Sequence, residues 1–270
     1  MPKILANGIN IDYEIHGAGE PLVLIAGISY DRWMWRRMIP GLVEHFRVIA
    51  FDNRGVGGTD QPAGPYSAQI MADDTAGLLQ ALEIEKAHVM GHSMGGFIAQ
   101  ALVLSCPERV NRLILSATNF GGPRHVPVTP AAMAVLMDVS GDPLERLQRG
   151  VVVSCAPGFA AAHPDLIQEW IAYRSAHPIQ PAAYSAQLAV GLGLLSEAAC
   201  FEHRLKEVTA PTLILSGEHD QVVPPGNAVL LQRQIADSRV IVLPGAGHFF
   251  PIETPQAAVE AVVQFLKSPA

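Results

Sequence analysis

Residues 87–104 read AHVMGHSMGGFIAQALVL. The short apolar run Ala87–Met90 enters a Gly-His-Ser-Met-Gly-Gly turn at 91–96, and Phe97 to Leu104 has the composition of a buried helix. A serine between two glycines, at a strand-to-helix junction, is the pattern of a nucleophile elbow. Such a bend is tight enough that side chains at Gly91 and Gly95 would strike neighbouring backbone, so glycine is expected at both. The Ser93 hydroxyl then stands clear of the sheet. The helix N-terminus lies beneath it, and that positive dipole end favours a developing negative charge.

The pentapeptide alone does not decide the matter. With glycine and serine each near ~7% of residues, G-x-S-x-G arises by chance in roughly one chain in ten of this length. A glycine-rich turn with an incidental serine is the plain alternative. The flanking strand and helix, and partners further along the chain, favour the elbow.

A chain of 270 residues is long enough to bury roughly three quarters of its unfolded surface in one core. Hydrophobic residues at 49% and charged residues at 16% describe a folded protein, not a disordered one. The formal charge of -7, with no basic run or stripe, argues against a nucleic-acid partner. Cys106, Cys155 and Cys200 are too scattered for a disulfide framework or a metal pair, and are expected as buried free thiols. The opening MPKILANG lacks the basic start and apolar stretch of a signal peptide. No run approaches the ~20 apolar residues that cross a bilayer. A cytoplasmic protein without a membrane partner is expected.

Ile9–Ile15 alternates apolar and polar residues, as a half-exposed strand near a sheet edge does. Pro21–Ala26 is a continuous apolar run suited to a strand covered on both faces. Runs at 47–51, 87–90, 112–115, 212–215 and 240–243 repeat that character, and helical stretches such as Ile70–Leu82 and Gly226–Ile235 lie between them. Thr254-Pro255, a cap residue followed by proline, opens the last helix. Alternating strands and helices predict an α/β fold with a mostly parallel sheet between helix layers. From Gly121 to Arg204 the rhythm breaks. Alanine- and leucine-rich helical segments punctuated by eight prolines, from Pro123 to Pro181, replace the strands. The expected organisation is a core of 1–120 and 205–270 with a helical insertion at 121–204.

A serine hydroxyl attacks poorly near neutral pH unless a base held in one orientation takes its proton. Ligands of open parallel sheets sit beyond the carboxyl ends of the strands, so both partners are sought there. The strand at 212–216 ends in Gly217-Glu218-His219-Asp220, and that at 240–243 ends in Pro244-Gly245-Ala246-Gly247-His248. Asp220 and His248 therefore follow the last two predicted strands, in the order Ser, Asp, His.

With GHSMGG at 91–96, FDNRGVGGTD at 51–60, LILSGEHDQVVP at 213–224 and PGAGHFFPIETP at 244–255, the chain resembles the α/β-hydrolase superfamily over nearly its whole length. The resemblance implies Ser93 as nucleophile, His248 as general acid and base, and Asp220 as the carboxylate that orients His248. It makes the 121–204 insertion a cap over the active site. By family position, the backbone N–H groups of Ile28 and Met94 form the oxyanion hole. Relatives commonly carry His-Gly where this chain has Ala26-Gly27, which changes a side chain and leaves the backbone donor. Some relatives place the acid after the strand ending near Ala117-Thr118-Asn119; an asparagine there favours Asp220, with Glu218 as the other carboxylate at hand.

Of the remaining histidines, His92 is expected to point away from the nucleophile and His219 to be a loop residue. The 51–60 loop does not follow G-x-G-x-x-G, so it is expected to be structural. Tyr30, Trp33, Phe120, Val222 and Phe249 are candidates to line an apolar substrate pocket. Trp33 and Trp35 equally suit packing, and Arg124, Arg146, Arg149 and Arg174 are available to a substrate carboxylate. The implied activity is hydrolysis of a small carboxylic ester or lactone through an acyl-enzyme, with no cofactor and no metal. Serine at the elbow excludes the dehalogenase and epoxide hydrolase branches, which carry aspartate there. Carbon–carbon bond hydrolysis, cofactor-free perhydrolysis and a small-molecule receptor retaining the triad stay open.

Overall fold

The computed structural model describes residues 2–269. The apolar runs become strands: β1 (Lys3–Ala6), β2 (Ile9–His16), β3 (Pro21–Ile25), β4 (Arg47–Phe51), β5 (Ala87–His92), β6 (Val110–Ser116), β7 (Thr212–Gly217) and β8 (Ser238–Leu243). They form one sheet in the order β1-β2-β4-β3-β5-β6-β7-β8. Pairing is antiparallel from β1 through β2 to β4 and parallel from β4 onward.

Leu22 to Ile25 are all fully buried, and their side chains alternate between two cores, as the period of two requires. Val23 and Ile25 join Ile49, Val89 and Leu113 on one face, while Leu22 and Leu24 join Val48, Met90 and Ile114 on the other. The first face is covered by α2 (Ala68–Ala81) and α3 (Met94–Ser105), following the short turn α1 (Ile39–Leu42) in the chain. Leu231 of α9 (Gly226–Gln234) joins that face, and Phe250 of the turn α10 (Phe250–Glu253) and Val262 of α11 (Pro255–Leu266) join the second.

One strand went unread and one strand expectation needs correcting. β1 carries too short and too exposed a pattern to be read from its apolar content. β8 resembles the inner strands in composition but is the sheet edge, with half-exposed residues along its length. The Thr254 cap is not made either. The Thr254 hydroxyl accepts no cap bond from the first turn of the helix, and its oxygen is buried without a partner. α10 runs straight into this position, and the Thr254 N–H already bonds to Phe250 O at 2.9 Å.

Between β6 and β7 the described residues hold no strand. The chain forms α4 (Pro130–Leu136), α5 (Pro143–Ser154), α6 (Phe159–Ala162), α7 (Pro164–Ala176) and α8 (Pro181–Leu192). Pro130, Pro143, Pro164 and Pro181 each open a helix, where the missing N–H costs nothing. Asp142 and Glu145 complete a capping box at α5. The two ends of the excursion are bonded to each other: Gly122 N–H donates to Leu194 O at 2.7 Å and Phe201 N–H to Phe120 O at 2.9 Å. No described helix is long and apolar enough to cross a membrane.

Candidate active site

Because β3, β5, β7 and β8 run parallel, the loops at 26–31, 91–96, 218–223 and 244–249 emerge from one end of the sheet. Ser93 stands at the turn into α3 with φ 56° and ψ -119°, a left-handed backbone that side chains rarely hold without a fixing environment. Here Ser93 N–H donates to Ser116 O at 2.8 Å, and Ser93 O accepts from Thr118 Oγ1 and Gly96 N–H, each at 2.8 Å. Both elbow glycines are sterically required. A Cβ on Gly91 would lie 2.1 Å from Gly95 O, and one on Gly95 would lie 2.2 Å from Ile25 O.

Asp220 and His248 are both buried, and His248 Nδ1 lies 2.8 Å from Asp220 Oδ2. The second carboxylate oxygen accepts from the N–H groups of Val222 at 2.9 Å and Val223 at 2.8 Å. With a carboxylate at Nδ1, the proton sits on that nitrogen and Nε2 carries the lone pair. The main chain of His248 is fixed too, its N–H donating to Ser154 O at 2.8 Å. Glu218 takes no part. Its exposed carboxylate accepts from Gly245 N–H at 2.8 Å.

His92 packs against the catalytic candidates in a way the sequence did not indicate. Its ring centroid is 5.0 Å from that of His248. Fully buried, it bonds through Nδ1 to Ser116 Oγ at 2.9 Å. Burial, reinforced by the nearby His248, holds it well below the usual histidine range. The side chain is therefore a neutral wall against the His248 ring. His219 is an exposed loop residue.

The 26–31 loop lies against the elbow, since a Cβ on Gly27 would come within 3.2 Å of Ser93 Cβ. Ile28 follows that glycine, and Met94 is the first residue of α3, so the two backbone N–H candidates belong to adjoining segments. Tyr30 and Phe249 meet at 4.8 Å between ring centroids, and Phe249 is 5.2 Å from the His248 ring. Burial pushes the Tyr30 phenol up to about 12, so it stays a neutral hydroxyl. Trp170 of α7 packs on Phe249 at 4.9 Å and completes an aromatic wall beside His248.

The other pocket candidates are placed differently. Trp33 is flanked by Tyr173, stacked at 4.4 Å, and by the Arg36 guanidinium at 3.6 Å. Phe120 is buried where the excursion leaves the core, and Val222 holds Asp220 through its N–H. Trp35 is fully buried packing. Of the four arginines, Arg124, Arg146 and Arg149 satisfy groups within the excursion and its exit. Arg174 reaches the 26–31 loop, where it donates to Ser29 O.

The 51–60 loop is structural. Asp52 accepts from Arg32 N–H and Gly58 N–H, while Thr59 Oγ1 donates to Asp52 O at 2.6 Å and accepts from Asp12 N–H at 2.9 Å. Among the described residues no three His, Cys, Asp or Glu side chains cluster to hold a metal.

Sequence reasoning missed Glu253, Trp170, Tyr173 and Gln187. Glu253 accepts from Ala156 N–H at 2.7 Å and Gly247 N–H at 3.2 Å, tying the His248 loop to the excursion. A cavity of about 590 Å³, with an apolar wall of Val135, Val152, Val153 and Ala160, adjoins this tie at Cys155 and Ala156.

A buried Asp-His pair beside a strained serine elbow defines a class of proteins, and comparison with known proteins agrees. The family model described as the alpha/beta hydrolase fold matches residues 20–255. The chain belongs to the alpha/beta hydrolase family, and it is a hydrolase enzyme. It is 31% identical to the pimeloyl-[acyl-carrier protein] methyl ester esterase of Aeromonas hydrophila, over 96% of this chain and 100% of that one. It is also 31% identical to the 2-hydroxymuconate semialdehyde hydrolase of Pseudomonas sp. strain CF600, over 98% and 93%. Among solved structures, the enol-lactonase of Burkholderia xenovorans matches with a TM-score of 0.83 at 27% identity, over 99% of this chain and 100% of that one.

Proposed function

We propose that the chain is a cofactor-independent serine hydrolase that cleaves a small carboxylic ester or lactone through an acyl-enzyme. The observation that carries this reading is the 2.8 Å contact from His248 Nδ1 to buried Asp220, beside an elbow that presents Ser93 at φ 56°. Ser93 Oγ attacks the carbonyl carbon while its proton passes to His248 Nε2. Asp220 keeps the imidazole in the required tautomer and stabilises the imidazolium. The Ile28 and Met94 N–H groups receive the oxyanion; a preorganised donor of this kind contributes about 3–4 kcal/mol to the transition state.

Collapse of the tetrahedral intermediate breaks the ester C–O bond, and His248 returns its proton to the leaving alkoxide. In a lactone that alkoxide stays tethered to the acyl group. A water then attacks the acyl carbon, His248 takes the water proton, and the bond to Ser93 breaks with return of that proton to Oγ. Tyr30, Phe249 and Trp170 favour an apolar group beside the scissile bond, and the 121–204 excursion acts as a cap. Three free thiols without a disulfide suit a reducing compartment, and we assign the protein to the cytoplasm on that ground.

The methyl ester esterase and enol-lactonase relatives support ester or lactone chemistry. The 2-hydroxymuconate semialdehyde hydrolase favours a second reading, carbon–carbon hydrolysis by the same residues. Profiling wild type and Ser93→Ala over p-nitrophenyl esters, lactones and vinylogous diketones separates them. Ester or lactone turnover lost in Ser93→Ala supports the proposal. Turnover of the diketones alone transfers it to the second reading, and activity retained in Ser93→Ala overturns both.

A further inference from the structure

The 26–31 loop holds only part of its shape by itself, through one long turn bond from Tyr30 N–H to Gly27 O at 3.3 Å. Ser29 has φ 63°, a left-handed conformation that a residue with a side chain keeps only where its surroundings fix it. Asn53 holds Ala26 O at 3.0 Å, and the contacts to Ser29 itself come from the helical excursion. Ser29 N–H donates to Gln187 Oε1 at 2.7 Å, Ser29 O accepts from Arg174, and Arg174 also donates to Ser29 Oγ at 3.1 Å. Two residues on, Asp31 Oδ2 accepts from the Tyr173 hydroxyl at 2.7 Å.

Gln187 is the most constrained of these side chains. It is fully buried on α8, and its other end is also used, Nε2 donating to Arg54 O at 2.8 Å. Arg54 is itself locked by a buried ion pair to Asp74. The amide thus bridges two core loops from a helix more than a hundred residues away in the chain.

We propose that Gln187 is a positioning residue for the oxyanion hole, acting on Ile28 through the peptide it holds. This rests on the reading of Ser93 as nucleophile and Ile28 N–H as donor. The pinned Ile28–Ser29 peptide leaves Ile28 little freedom to turn, and its own N–H, one peptide earlier next to Gly27, is thereby aimed. Releasing Ser29 N–H lets that donor swing, which weakens binding of the oxyanion more than binding of the ground-state ester.

The test is kinetic, with p-nitrophenyl butyrate as substrate and a trifluoromethyl ketone as probe of the oxyanion adduct. Losing one donor outright costs about 10²–10³ in kcat, so misaiming one in Gln187→Met is expected to lower kcat by roughly 10–100-fold. KM should stay within about threefold, and affinity for the ketone should fall in parallel with kcat. Gln187→Glu, whose fully buried carboxyl is held protonated and so still donates to Arg54 O, keeps an acceptor toward Ser29 N–H and should recover most of the rate. Should the methionine variant not fold, Gln187→Asn, which retracts the amide by one methylene, gives the same readout. An unchanged kcat, or a rise in KM alone, would overturn the proposal. Equal losses in Gln187→Met and Gln187→Glu would assign the role to packing and overturn it as well. Full activity in Ser93→Ala would instead remove the reading on which it rests.

Discussion

Replacing Asp220 by asparagine perturbs one atom at the centre of the site. In the wild type the carboxylate accepts three hydrogen bonds, from Val222 N–H at 2.9 Å, Val223 N–H at 2.8 Å and His248 Nδ1 at 2.8 Å. An asparagine keeps its carbonyl oxygen toward the two backbone donors, because turning it round would set NH₂ against both. The amide nitrogen then faces His248 Nδ1 and must donate to it. Nδ1 loses its proton, Nε2 gains one, and the ring no longer has a lone pair to take the Ser93 proton. By analogy with the same change in another triad, kcat should fall roughly 10⁴-fold. That is about 5.4 kcal/mol, at about 1.36 kcal/mol per decade.

The fold should suffer far less. Two of three acceptor contacts survive, so a loss of about 1–3 kcal/mol is expected. Initial rates on a p-nitrophenyl ester, beside denaturant unfolding of the same preparations, separate the two effects. Glu218→Gln should stay near wild type, since that exposed side chain caps Gly245 N–H and otherwise meets only the exposed His219 ring at 3.7 Å. Near-normal activity in Asp220→Asn with loss in Glu218→Gln would refute the assignment of the acid.

Three further outcomes are expected. Ser93→Ala and His248→Ala should each nearly abolish ester turnover, and the double variant should be no worse than either single one, because the residues act as a unit; additive losses in kcat would contradict this. Burial depresses both His92 and His88 in the fold, so below the unfolded histidine value of ~6.5 the unfolded chain binds protons that the fold refuses, and stability drops as pH falls. Denaturant unfolding between pH 7 and 5.5 should show a contribution of up to about 1.4 kcal/mol per pH unit from His92, read as the difference in slope between wild type and His92→Gln so that the opposite contribution of Asp52, Asp74 and Glu253, whose carboxyls burial raises, cancels; equal slopes in the two would contradict it. Amide exchange should be faster in α4 and α5, which expose Leu136, Met137 and Val152, than in β3 and β5, and uniformly slow exchange would remove support for a mobile cap.

Much of this was legible in the sequence because the information is local. Tight bends demand glycine, so Gly91 and Gly95 mark the elbow. Inner parallel strands demand unbroken apolar runs, so β3, β4 and β5 declare themselves and point to the loops that follow them. Asp220 and His248 were found by that route. What stayed hidden depends on distant pairing. β1 becomes a strand only by pairing with β2, and β8 is an edge only because no strand follows it in the sheet. His92 looked like a residue fixed by the turn and aimed elsewhere, yet the packing of the 244–249 loop brings His248 against its ring. Gln187, Tyr173 and Arg174 sit in ordinary helical sequence, and their contacts to Ser29 and Asp31 span more than 140 residues. No spacing rule encodes such a contact.

The central claim is that Ser93 is a nucleophile activated by His248. Incubating the protein with a p-nitrophenyl phosphonate and reading the adduct by intact-mass and peptide mass spectrometry tests it most directly. One phosphonyl group per chain on Ser93 is expected, formed without added metal or cofactor, with activity lost in step. Labelling should weaken in His248→Ala, and should disappear in Ser93→Ala. Recovery of the label on Cys155 or any other residue, with Ser93 unmodified and activity gone, would contradict the account.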